Sequence, residues 1–168
     1  MTNFCRVLAV FALVAVLWPL AAQAQTKTRA IRPDLRLVVG VASAGLGGQL
    51  GHVQDREEQV RLLRDFVTAA RFFPERNGYF FVYDVTGVCV AHGQQPSLVG
   101  RSLIDLKDKN GFLVVRALLD KAKAGGGFVE YYWEKPGMPG TYGKLGYVEP
   151  IPGTEFVIGS GIYLPENW

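Results

Sequence analysis

Three stretches of the sequence predict an α+β domain built on an antiparallel sheet of about five strands. Gly78 to His92 carries two runs of aromatic and β-branched residues around Asp84-Val85-Thr86-Gly87, the pattern of a β-hairpin. Phe128 to Ile162 gives three more such runs divided by Pro- and Gly-rich turns, the pattern of a meander. Helical periodicity precedes the hairpin and recurs between hairpin and meander, so no regular strand-helix alternation points to a parallel sheet.

The first segment stands apart from the fold. Met1 to Arg6 holds one positive charge, Val7 to Leu20 is an unbroken apolar run, and Ala22-Gln23-Ala24 has the form of a cleavage site. Together these are the parts of a secretory signal peptide. An uncleaved anchor is the alternative, but the run is shorter than the roughly 20 residues of a membrane helix and lacks a basic stop on its far side. Residues 1–24 are therefore expected to leave after Ala24, placing the mature protein in the periplasm or outside the cell.

Of the 168 residues, 144 remain, enough for one domain with a core. Residues 25–54 read as a lead-in and a weak helix, and residues 55–168 as the main domain. The net charge falls from +3 to +2 as Arg6 is lost, too little to support nucleic-acid binding. Cys5 leaves with the leader, so Cys89 is the only thiol and no internal disulfide is expected. No second apolar run of membrane length follows Gln25.

After a polar, basic stretch to Pro33, residues Leu35, Val38, Val39, Ala42 and Leu46 recur at helical spacing. Gly40, Gly45, Gly47 and Gly48 weaken that helix, since each costs about 1 kcal/mol against Ala. The same stretch has a second reading, a strand over Leu37 to Val41 followed by a phosphate loop at Gly45-Leu46-Gly47-Gly48. The dinucleotide fingerprint needs a third glycine where Leu50 stands, and no βαβ unit follows. Asp55 to Arg71 is the most secure helix: Asp55 and Glu58 resemble a capping box, and Val60, Leu63, Val67 and Ala70 line one stripe with Leu62, Phe66 and Phe73 beside it. Arg61, Arg64 and Arg71 fall on or toward the other side, Arg71 suiting the C-terminus, and Pro74 ends the helix.

In the hairpin, alternation puts Tyr79, Phe81 and Tyr83 on one face and Phe80, Val82 and Asp84 on the other. Both faces carry large apolar groups, so the hairpin is expected to be central and covered on two sides. Gly93 to Asp105 is loop-like. Asp108 is a candidate cap for a helix from about Asn110 to Ala124, with Phe112, Val115 and Leu119 buried and Gly125-Gly126-Gly127 as its stop. Strands then follow over Phe128 to Glu134, Tyr142 to Glu149 and Glu155 to Ile162, with the loop Lys135 to Gly140 between the first two.

Several motifs in this order resemble the single Cache domains of bacterial sensors. They are Gly78-Tyr79-Phe80-Phe81-Val82-Tyr83-Asp84, Ala91-His92, Leu98 to Leu103, Gly127 to Pro136, Lys144 to Val148, Pro152-Gly153-Thr154 and Gly159 to Tyr163. The resemblance runs from about Asp55 to Pro165. It implies a PAS-like sheet with N-terminal helices packed on one face and a small-molecule pocket on the other. It also implies an extracytoplasmic sensing module for short carboxylates or similar metabolites, found in chemoreceptors and histidine kinases. His92 is followed by Gly93, where the family often has His-Pro. The sequence ends at Trp168 without a membrane helix or signalling part, so a membrane-bound sensor partner is expected to carry any signal.

The residues that would line such a pocket are Tyr79, Phe81, His92, Tyr131, Trp133, Lys144 and Tyr147. Tyr131 and Trp133 share a strand face with Val129 and would give an aromatic floor ending in polar atoms, or else serve as core aromatics. Lys144 enters an apolar strand at the position of the family's lysine. It would meet a carboxylate with a charge-assisted hydrogen bond, or else guard a sheet edge. Tyr147 lies three residues on, so sharing that pocket would require a bulge or an end effect. His92 is a ligand donor or a satisfied structural residue. Cys89 and His92 would fall on opposite faces of a regular strand, which argues against a nucleophile-base pair. With no catalytic motif, no metal-ligand spacing and no cofactor motif, the expectation is a small-molecule binding and sensing protein rather than an enzyme. The alternative is an accessory protein with the same fold that docks onto a membrane sensor without its own ligand.

Overall fold

The computed structural model describes residues 32–73 and 76–165. The leader, its cleavage site and Pro74 lie outside the described residues. The elements run α1 (32–50), α2 (Arg56–Ala69), β1 (Phe80–Asp84), β2 (Cys89–His92), α3 (Val114–Lys123), β3 (Gly127–Glu134), β4 (Thr141–Pro150) and β5 (Phe156–Tyr163). A single 3-10 turn, Pro96–Leu98, follows β2. The five strands form one antiparallel sheet in the order β2-β1-β5-β4-β3. This is the expected α+β, PAS-like arrangement. Among these residues no helix is long and apolar enough to cross a membrane.

The N-terminal stretch is a full helix of five turns, stronger than the glycine count predicts and incompatible with the strand and phosphate-loop reading. Leu35, Val39, Ala42, Leu46 and Leu50 are buried against Leu63 and Val67 of α2 and Phe80, Val82, Phe156 and Ile158 of the sheet. That burial offsets the helix penalty of the glycines. Gly47 has a packing reason to be there: a Cβ would sit 2.8 Å from Pro152 Cδ and 3.0 Å from its carbonyl oxygen. Ser43 adds a hydrogen bond of 2.7 Å to the Pro150 carbonyl, fastening α1 to the end of β4.

Asp55 caps α2 as expected, accepting from the amides of Glu57 and Glu58 at 3.2 and 3.3 Å. Glu58 turns outward to Arg61. Arg64 and Arg71 are not simply solvated. Arg64 Nε donates to the Val90 carbonyl at 3.0 Å, and Arg71 caps the helix end through the Val67 and Ala70 carbonyls while its other nitrogen reaches the Gly93 carbonyl. These bonds tie α2 to β2 and to the loop after it.

The hairpin differs from the expectation in one respect. β1 is an inner strand, whereas β2 is the outermost strand of the sheet. All four β2 residues are nonetheless buried, because the chain after it returns along the open edge. Cys89 donates its amide to the Arg101 carbonyl and accepts from Gly100, and Val88 bridges to Ser102. A covering loop satisfies the edge that another strand would otherwise pair with. Asp84, 6 % exposed, closes the turn by accepting from the amides of Thr86 and Val88 and the Thr86 hydroxyl, while Arg56 pairs with its other oxygen at 3.1 Å. Gly87 supplies the positive φ of 91° that the turn needs.

The helix expected from Asn110 begins four residues later, at Val114, and Asp108 does not cap it. Its carboxylate instead accepts from the amides of Asn110, Phe112 and Tyr132, bracing a loop against β3. Phe112 is left 40 % exposed, and the buried stripe is Val114, Val115, Leu118, Leu119 and Ala122. α3 thus covers the second face of the sheet, packed with Phe81, Tyr83, Val129, Tyr131, Trp133, Val148 and Val157. The sheet is sandwiched, with α1 and α2 on one side and α3 with its loops on the other.

Candidate functional site

The register of the last four strands in the order builds the site. Tyr131 pairs with Lys144 and Lys144 with Tyr163, giving a row of three large side chains across β3, β4 and β5 on the α3 side. The next row is Val129, Gly146 and Gly161, and the one after it Val148, Gly159 and Phe81. Three glycines on one face leave a trough that the neighbouring side chains fill. A Cβ on Gly146 would sit 2.8 Å from the Tyr131 ring, on Gly159 2.5 Å from the Phe81 ring, and on Gly161 2.7 Å from Lys144 Cε.

Lys144 is 1 % exposed. Its ammonium donates to the Tyr79 hydroxyl at 2.6 Å and lies 4.5, 5.0 and 5.8 Å from the ring centroids of Tyr79, Tyr163 and Phe81. Among the described residues it forms no ion pair with a carboxylate. The two tyrosine hydroxyls are 3.3 Å apart, and the Tyr163 hydroxyl donates to the Glu134 carbonyl. The proton order therefore runs from Lys144 to Tyr79, from Tyr79 to Tyr163, and from Tyr163 to the backbone. Both tyrosine hydroxyls along this line are spent as donors, whereas two hydrogens of the Lys144 ammonium have no acceptor among the described residues. Burial pushes the phenols of Tyr83, Tyr131 and Tyr163 upward from their ordinary pKa, so all three stay neutral hydroxyls.

His92 sits opposite Phe81 in the register and joins this face. Its ring stacks at 6.5 Å on Trp133 and at 6.2 Å on Phe81, with Tyr79 at 5.3 Å. Nδ1 accepts from the amides of Gln95 and Gln94 at 3.0 and 3.2 Å, which puts the ring proton on Nε2. Burial first, and then the Lys144 charge, lowers the His92 pKa from 6.5 to about 3. The folded state therefore resists protonation that the unfolded chain accepts below pH 6.5. Stability from this group is complete above that pH and is lost as pH falls toward 3. Between pH 7.5 and pH 5 the unfolding free energy should drop by about 2 kcal/mol on this account. Urea titrations at the two pH values measure it; His92→Gln, which cannot charge, should show a correspondingly smaller drop, and an equal drop in both proteins would exclude His92 as the cause.

Trp133, 8 % exposed, meets Tyr131 edge-on at 5.9 Å and donates its indole N–H to Gln95 Oε1 at 2.7 Å. Gln95 Nε2 in turn donates to Glu134 Oε2 at 2.8 Å. Of the residues expected from sequence, the structure gathers Tyr79, Phe81, His92, Tyr131, Trp133 and Lys144. It excludes Tyr147. The β4 register is regular from Lys144 to Pro150, with no bulge, so Tyr147 faces α1, packs at a tilt against Phe128 with ring centroids 4.5 Å apart and donates to Glu149. Two members were missed. Tyr163 was legible in principle, as the one large residue following the alternating Gly159 and Gly161. Gln95 lies in an irregular loop and carried no signal.

Cys89 and His92 need a correction of a different kind. The β1–β2 register slips between Val82 and Tyr83, so Tyr83 faces Cys89 while Phe81 faces His92. That bulge puts Val90 and Ala91 together on the helix side, and Cys89 and His92 on the same face. They still make no reactive pair. Burial raises the thiol to about 12 while the imidazole is lowered to about 3, the reverse of what a thiolate and an imidazolium require. Among the described residues no group of three His, Cys, Asp or Glu could hold a metal ion.

A buried cation lies on an aromatic floor on the sheet face opposite the N-terminal helices, the face that α3 covers. Residues 51–167 match the Cache domain, and the chain belongs to this family. A methyl-accepting chemotaxis protein of Vibrio parahaemolyticus shares 31% identity with it at a TM-score of 0.73, over 86% of this chain and 96% of that one. A second solved structure, described as the basis of carboxylic acid recognition by a Cache chemosensory domain, shares 28% identity at a TM-score of 0.73, over 84% of this chain and 98% of that one. The sensor histidine kinase MctS of Rhizobium johnstonii is 38% identical over 91 residues, 54% of this chain. The chain spans 20% of that kinase's length.

Proposed function

We propose that this chain is an extracytoplasmic sensing module for a short organic anion, which Lys144 receives on a floor of Tyr79, Phe81, Tyr131, Trp133 and Tyr163. The observation that carries the reading is the ammonium of Lys144. Withdrawing a charge from water is costly unless it is paired, and among the described residues this one is met by a hydroxyl and ring faces rather than by a carboxylate. A ligand carboxylate would supply the missing partner through a charge-assisted bond. The Tyr79 hydroxyl, 2.6 Å from the ammonium, becomes a second contact when it turns its hydrogen from Tyr163 to the carboxylate. The likeness to a carboxylate-recognising Cache domain supports the same ligand class, and the leader reading supports a location beyond the cytoplasmic membrane. A membrane-bound sensor is the corresponding partner for a module of this kind.

A thermal-shift screen of the mature chain against short carboxylates and their uncharged amides tests the proposal. A ligand that binds only the folded state raises the melting temperature by mass action. Carboxylates should raise it, and the matching amides should not. A screen in which no carboxylate acts would favour the accessory reading, a Cache fold that docks onto a membrane sensor without a ligand of its own.

A further inference from the structure

Lys144 is sealed from solvent, so an anion needs a way in. One side of the chamber has a built partition. Trp133 stacks on His92 and meets Tyr131 edge-on on its inner side, and it also lines an outer cavity of about 280 Å3. Gln95 lines the same cavity and holds Trp133 with its carbonyl oxygen and Glu134 with its amide nitrogen, at 2.7 and 2.8 Å. The outer cavity is also lined by Arg101, Lys107 and Lys109. Among the described residues none of these three is in an ion pair, and all three are exposed. Of the facing acids, Asp108 is occupied by three backbone amides and Glu134 by Gln95. Both acids keep their charge, so three cations against two carboxylates leave the cavity with an excess of one positive charge on the outer side of Trp133.

We propose that Gln95 is the latch of this chamber: a small organic anion gathers in the cavity of Arg101, Lys107 and Lys109 and reaches Lys144 when Gln95 releases Trp133 and Glu134. The inference rests on the anion-binding reading above. Gln95 suits the task because a neutral amide joins an indole donor and a carboxylate acceptor simultaneously, and neither bond is covalent or ionic at both ends. Its segment is short and is held through its backbone, Gly93 N–H donating to the Phe80 carbonyl and the Gln95 carbonyl accepting from Leu98, so the two side-chain bonds can break while the loop stays in place. The Gln94 and Gln95 amides rest on His92 Nδ1, and Arg71 holds the Gly93 carbonyl. Breaking the two side-chain bonds frees the tryptophan without disturbing the sheet. The cations outside act on the rate of arrival, since a cleft lined by one sign of charge concentrates the opposite ion.

Stopped-flow measurement of acetate binding to the mature chain, followed by tryptophan fluorescence, tests both halves. Gln95→Ala should raise the association and dissociation rates together, by about tenfold, the scale of one or two lost hydrogen bonds. Gln95→Leu, which keeps bulk but cannot bond Trp133 or Glu134, should act in the same direction. Lys107→Gln with Lys109→Gln should slow association several-fold, leave dissociation unchanged and flatten the salt dependence of association. Dissociation rising alone in both Gln95 variants would make Gln95 an ordinary contact and overturn the latch. Unchanged association in the double lysine variant would overturn the route. If the wild-type chain binds neither acetate nor any other short carboxylate of the thermal-shift screen, the anion reading falls and takes the latch with it. Binding with unaltered rates in all variants would remove the latch and the route and leave the anion reading standing.

Discussion

Lys144→Met is expected to fold normally and to lose affinity for short carboxylates by roughly ten- to a hundredfold, the 1.5–3 kcal/mol range of a hydrogen bond to a charged group. Methionine retains an unbranched apolar stem to lie over Gly161, where Lys144 Cε approaches to 2.7 Å of an ideal Cβ position. What disappears is the ammonium. In the free protein that charge is held by the Tyr79 hydroxyl and three ring faces, so its removal should leave the melting temperature of the free protein unchanged or raise it. The ligand-induced shift should vanish in the same experiment. Opposite signs for the two quantities separate loss of a binding charge from loss of fold. Calorimetric titration of both proteins measures the affinity; equal dissociation constants would take Lys144 out of the site and remove the physical reason to expect an anion.

Leu63→Ala should cost on the order of 2–5 kcal/mol of unfolding free energy, the range for emptying a fully buried leucine site. Leu63 is 0 % exposed where α1 and α2 meet the sheet, in one cluster with Leu35, Val39, Phe80 and Ile158. Leu62, the next residue, only borders that cluster, and its alanine variant should cost clearly less. Chemical denaturation of the pair measures the contrast. Similar losses for the two leucines, or a loss below about half a kcal/mol for Leu63, would mean that α2 does not dock in this register.

The two effects fall on opposite faces of the sheet, and the sequence treated those faces unequally. The helix side was legible because its signal is periodic. Leu35, Val39, Ala42 and Leu46 repeat at helical spacing, and Asp55 marks the start of α2 by a side chain that caps its own next turn. The strands were legible for the same local reason. β3, β4 and β5 begin and end within one residue of their expected bounds, and alternation correctly set Tyr131 and Trp133 on one face with Val129. The pairing of Lys144 with an aromatic floor followed from that alternation together with the family resemblance. Alternation also carried a warning that Tyr147 would need a bulge to reach the same face, and β4 has none.

What remained hidden depends on contacts between residues far apart in sequence. The strength of α1 could not be judged from its glycines, because Gly47 is set by the approach of Pro152, over a hundred residues away in the chain. The edge position of β2 and its covering loop follow from strand order, which no local pattern encodes. The bulge that brings Cys89 and His92 to one face arises from pairing with β1, and a one-residue slip reverses every side chain beyond it. Asp108 looked like a helix cap because its own neighbours allow that role, yet the Tyr132 amide, 24 residues on, draws it into a loop instead. Spacing along one element was enough to locate the helical and strand segments and, in the strands without a bulge, to say which side chains share a face. Register and packing across the whole chain decided that Lys144 is enclosed with no carboxylate partner among the described residues, that Tyr163 completes its row and that Gln95 bonds the Trp133 indole. Those facts depend on register between strands and on where a loop comes to rest, and both are fixed by the packing of the whole chain.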